Sequence, residues 1–90
     1  MKVQVHRGRF FVIEGCTPLE NLIVSVIDSL GYGEEFAHIK QTLLAEMCGI
    51  DVSSLIRVMK ILEEKNLVQT TKYKIRNQVK GYKVTLPTNE

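Results

Sequence analysis

The chain has 90 residues, of which 44% are apolar and 24% charged, with two cysteines and a formal net charge of +2. That is the composition of one small globular domain; it excludes a disordered tail, a collagen-like repeat and a disulfide scaffold. No apolar run approaches the ~18 residues of a membrane helix, and the polar start MKVQVHRGRF does not read as a signal peptide. The expected compartment is the cytoplasm, with both thiols reduced.

In chain order, Lys2-Val3-Gln4-Val5-His6 alternates polar and apolar, the period of a half-buried strand. Arg7-Gly8 can turn the chain into the apolar run Phe10–Ile13. These predict two short strands, or one strand and an arm. Thr17-Pro18-Leu19-Glu20 is a capping box with proline at the first helical position. The apolar positions 19, 22, 23, 26, 27 and 30 predict a helix over 18–30 that buries one face, with Gly31 at C′.

A loop follows at 31–35, then a short strand-like stretch, Phe36–Ile39. A two-turn helix is expected from Lys40 or Gln41, carrying Leu43, Leu44 and Met47 on one side and ending at Cys48-Gly49. Asp51 or Ser53 can cap the next helix, which runs to about Asn66 with Leu55, Val58, Met59 and Leu62 inward. Leu67–Tyr73 and Gly81–Leu86 then predict a β-hairpin around a basic tip. The expected organisation is one α+β domain over 1–90: an N-terminal strand or arm (1–16), a helical core (17–66) and a hairpin (67–86).

The charge is unevenly spread. Residues 1–56 hold four basic and seven acidic side chains, a sum of −3, whereas residues 57–90 hold eight basic and three acidic, a sum of +5. Such asymmetry fits either a nucleic-acid-binding face or a solvated lysine-rich hairpin.

Catalytic chemistry finds no support. His6, Cys16, His38 and Cys48 lack metal-ligand spacing, and Cys48 reads as a buried thiol. No nucleophile motif or Gly-rich phosphate loop occurs, and Glu34-Glu35 and Glu63-Glu64 are adjacent acids rather than a dyad. Neither an enzyme activity nor a cofactor is expected.

The segment Leu44-Ala45-Glu46-Met47-Cys48-Gly49-Ile50-Asp51, continuing through Leu55, Arg57 and Leu62-Glu63-Glu64-Lys65-Asn66-Leu67-Val68, resembles the winged helix-turn-helix family. Ala45 allows the two helices to cross closely, Gly49 can take a positive φ, and Ile50 fills the core beneath the turn. The resemblance covers residues 41–86. It implies double-stranded DNA as partner, with the second helix of the motif in the major groove and the hairpin wing on phosphates.

By position, the resemblance puts Asp51, Val52, Ser53, Ser54, Arg57 and Lys60 at or near the groove, and Lys72, Lys74, Arg76, Asn77, Gln78 and Lys80 on the wing. It implies a transcriptional regulator or a replication or partition accessory factor of a bacterial, phage or plasmid system. Asp51, Val52 and Ile56 depart from the pattern, and Ile61 is a further surplus apolar residue. Val52 and Ile56 either pack inward or join two subunits. The second arrangement is similar to the dimeric centromere-binding adaptor of tubulin-type plasmid partition. A winged helix that binds proteins instead of DNA is the other reading. A homodimer is expected, through Phe10 and Phe11 or through Val52 and Ile56, and a partition or replication protein can be a further partner; no membrane contact is expected.

Overall fold

The computed structural model describes residues 3–6, 10–31, 36–72 and 79–85. It is an α+β fold: β1 (Val3–His6), β2 (Phe10–Ile13), α1 (Pro18–Leu30), α2 (Gln41–Met47), α3 (Val52–Glu64), β3 (Val68–Lys72) and β4 (Val79–Val84). β1 and β2 form one antiparallel pair and β3 and β4 another. Of the two N-terminal readings, the paired strands hold, with Val5 opposite Phe11. Among the described residues, no helix is long and apolar enough to cross a membrane.

The capping box forms as expected. The Thr17 N–H donates to Glu20 Oε1 at 3.0 Å, and the Glu20 N–H donates to Thr17 Oγ1 at 3.2 Å. Gly31 does follow α1, but not as a left-handed stop: its φ is −93°. Its job is spatial, since a Cβ there would stand 3.3 Å from the Ile27 carbonyl oxygen and 3.4 Å from the Ala37 Cβ. Phe36–Ile39 contributes one bridge rather than a strand, Ala37 pairing with Tyr82 of β4.

Helix α2 faces differently from the expectation. Leu44 and Ala45 are buried, whereas Leu43 and Met47 are about half exposed. The buried side of this short helix thus runs through Leu44 and the small Ala45, both part of the common core. The Ala45 carbonyl accepts the Ile50 N–H at 3.0 Å, and Gly49 takes a φ of +71° in the turn, where a Cβ is disfavoured.

Asp51 caps α3, and Leu55, Met59 and Leu62 form its buried stripe with Val58 at the margin. Beyond the end of α3, Asn66 takes a φ of 60° and turns the chain out of the helix. The Leu67 N–H then donates to the Leu62 carbonyl, and the Thr85 N–H to the Leu67 carbonyl. These bonds fix the C-terminal hairpin to the end of α3. One core joins β2, α1, α2, α3 and the hairpin through Phe11, Ile13, Ile23, Leu44, Leu55 and Tyr82, among others.

Candidate nucleic-acid interface

The buried stripe of α3 decides what the helix shows to solvent. Ser53, Arg57, Lys60 and Glu64 recur at i, i+4, i+7 and i+11, which puts them on one face, and all four are exposed. Ser54 is half-buried and engaged at the cap: its N–H donates to Asp51 Oδ1 at 3.0 Å. The Ser54 hydroxyl, then the Ser54 N–H, hold the Asp51 carboxyl below its ordinary pKa, with a smaller contribution from the Arg57 charge. The positive end of α3 is therefore already satisfied by a carboxylate, which leaves it a poor seat for a phosphate.

On the C-terminal hairpin, Lys72 is exposed at the end of β3. Lys74, Arg76, Asn77 and Gln78 lie outside the described residues, as does the side chain of Lys80.

Two of the basic side chains in the C-terminal third have other work. Lys65 Nζ donates to Glu20 Oε1 at 2.9 Å and to the Gly15 carbonyl at 3.0 Å, which ties the end of α3 to the start of α1. Lys83 is half-buried, with its Nζ 5.8 Å from the centre of the Phe36 ring. The exposed cations that the described residues offer along α3 and β3 are thus Arg57, Lys60 and Lys72.

Sequence reasoning missed the Lys65–Glu20 bond, and it has a pH consequence. Burial alone would raise the Glu20 pKa, but the Lys65 hydrogen bond, the Thr17 N–H, the Lys65 charge and the Cys16 thiol outweigh it and leave the pKa lowered. A carboxyl with a lowered folded-state pKa contributes stability that is present above its unfolded value, here 4.5, and lost as pH falls through the folded value. Thermal denaturation from neutral pH downward is expected to show falling stability below about pH 4.5. Glu20→Gln should flatten that acid limb; an unaltered limb would mean that other carboxyls cause it.

The four residues expected at a dimer contact divide by exposure. Phe11 is 4% exposed because β2 turns it into the core, and Val52 is half-buried against the same core. Phe10 and Ile56 are exposed, at 41% and 49%. Ile61 is exposed too, but lies about 140° around α3 from Ile56, at ~100° per residue, so the two isoleucines flank the Ser53–Arg57–Lys60 face on opposite sides.

Cys48 is buried, and that burial raises its thiol pKa. Among the described residues, no three His, Cys, Asp or Glu side chains gather as a metal site. Compared with protein-family models, with curated proteins and with solved structures, the chain matches none.

Proposed function

We propose that the chain is a dimeric winged-helix protein that binds double-stranded DNA, with α3 in the major groove and the C-terminal hairpin as the wing along the phosphates. In this reading it serves as a transcriptional regulator or a replication accessory factor of a bacterial, phage or plasmid system. The observation that carries the reading is the free face of α3. Leu55, Met59 and Leu62 hold the helix from behind while Ser53, Arg57 and Lys60 stand clear together. An α-helix fits the major groove, where arginine pairs with guanine and serine with either partner of a base pair. Lys72 and the basic stretch from Lys74 to Lys80 add attraction that does not depend on base sequence.

The test is a binding titration against duplex DNA from the protein's own genetic neighbourhood, at several salt concentrations. Affinity should fall steeply and linearly on a log–log plot, with a slope near one unit per phosphate contacted. Absent or salt-independent binding sinks the reading.

A second reading draws on the flanks of α3. Ile56 and Ile61 expose apolar surface, and Asp51, Glu63 and Glu64 put acids on and beside the basic face. Those features fit a module that holds a protein partner through the same helix, including the partition-adaptor arrangement. Under that reading Ile56→Asp abolishes partner capture, and duplex DNA produces no salt-dependent signal.

A further inference from the structure

Helix α1 buries three polar side chains beside its apolar Ile23, Val24 and Ile27. Glu20, Asn21 and Ser25 are buried, and each is bonded within the fold. Glu20 holds Lys65, Asn21 Oδ1 accepts the Ile13 N–H at 3.1 Å, and Ser25 Oγ accepts the Phe11 N–H at 2.8 Å. Those two N–H groups lie on the side of β2 away from β1, so α1 closes that strand edge with its own polar groups. Beside this buried side, α1 carries the half-buried Leu22 and Val26 and the exposed Ser29 and Leu30, at i, i+4, i+7 and i+8. With Phe10 of β2 and Met47 of α2 they line an open groove of about 250 Å³.

The exposed apolar residues cluster here. Seven large apolar side chains are exposed among the described residues, and Phe10, Leu30 and Met47 are three of them. Two more adjoin the groove by position: Leu43 one turn before Met47, and Val12 on the same strand face as Phe10. A surface helix ordinarily shows water its polar side. Here Glu20, Asn21 and Ser25 serve Lys65 and β2, and Leu30 is left exposed with the half-buried Leu22 and Val26 beside it.

We propose that this face is where two copies of the chain meet, α1 against α1 about a two-fold axis. A two-fold interface sets each patch against itself, so it tolerates little charge at its centre, and among the described residues no charged side chain lines this groove. The area fits as well. Five side chains of about 200 Å² each, exposed by two-fifths to one-half, leave on the order of 400 Å² of apolar surface. At the ~65% apolar share of homodimer contacts, that is a footprint of roughly 600–700 Å² per subunit, close to the ~800 Å² of an ordinary specific interface.

This deepens the DNA reading and rests on it only for its use. Among the described residues the groove takes nothing from α3, β3 or β4, so pairing leaves Ser53, Arg57 and Lys60 free in both copies. Two such helices can then address two half-sites.

Sedimentation equilibrium tests the interface. The wild-type chain is expected at twice 10.3 kDa, and Met47→Glu and Leu30→Glu each at 10.3 kDa with an unchanged helical circular dichroism spectrum. Leu43→Lys, on the neighbouring exposed turn, gives a third dissociating variant should either of those fail to fold. Ile56→Asp is expected to remain a dimer. A monomeric wild type, a dimer that survives the groove variants, or dissociation by Ile56→Asp overturns the proposal. On DNA carrying two half-sites, the monomeric variants should bind about 100-fold more weakly than the dimer. A wild type that dimerises through the groove but ignores DNA would overturn the DNA reading alone and leave the interface standing.

Discussion

Reversing both charges on the free face of α3, Arg57→Glu together with Lys60→Glu, is expected to weaken DNA binding by about 100-fold or more. Each cation that bonds a phosphate or a base edge contributes about 1.5 kcal/mol at the low end for hydrogen bonds to charged groups. Two lost contacts amount to ~3 kcal/mol, and every 1.4 kcal/mol is a factor of ten. The reversed charges add repulsion beyond that. If both side chains meet phosphates, the log–log salt slope falls by about two units; if one meets a base, it falls by about one and sequence preference relaxes.

Stability should change by no more than about 0.5 kcal/mol, because both side chains are exposed on the side of α3 away from its buried stripe. Binding that survives the double reversal would remove α3 from the DNA contact. Binding lost together with the melting transition would show that the face is structural. Lys65→Ala is the informative comparison: it removes a cation from the same third of the chain, but one whose partner is Glu20, so it should lower stability and spare affinity.

That contrast marks how far the site is legible in the sequence. The free face of α3 follows from its stripe, since a residue that does not fall with Leu55, Met59 and Leu62 must look outward. The charge sum does not follow in the same way. Counted along the chain, Lys65 and Lys83 look like binding cations. In the fold one is held by an acid 45 residues upstream and the other stands over Phe36. Nothing local in the sequence marks such long-range pairings.

The elements divide along the same line. The Thr17–Glu20 box is readable because all its partners lie within four residues. Asn21 and Ser25 sit one turn apart on α1, and an isolated polar pair reads by default as solvated surface. What they bond is the backbone N–H of Ile13 and Phe11, and a backbone donor leaves no trace in side-chain identity. Reading the six apolar positions of α1 as one buried face follows from that default. In the fold Ile23 and Ile27 are buried, Leu19, Leu22 and Val26 are half-buried against the same core, and only Leu30 of the six is exposed. In α2, seven residues are too few for periodicity to choose a face, and packing of Leu44 and Ala45 into the common core chooses it instead.

Leu62→Ala is expected to cost about 3 kcal/mol, whereas Ile61→Ala, one position earlier on the same helix, should cost no more than about 0.5 kcal/mol. Leu62 is fully buried and Ile61 is 37% exposed. Removing the Leu62 side chain leaves a cavity in the last turn of α3, where its carbonyl also accepts the Leu67 N–H that starts the hairpin. For a chain of this length, 3 kcal/mol lowers the melting temperature by roughly 12–24 °C. Hairpin amides should lose hydrogen-exchange protection along with those of α3, because the two are packed and bonded at this point. DNA affinity per folded molecule should hold, since neither residue lies on the Ser53–Arg57–Lys60 face. The comparison also tests the orientation on which the DNA reading depends. Were Ile61→Ala the costlier change, α3 would sit rotated by about 100°. Arg57 would then lie near the core and could not reach a groove.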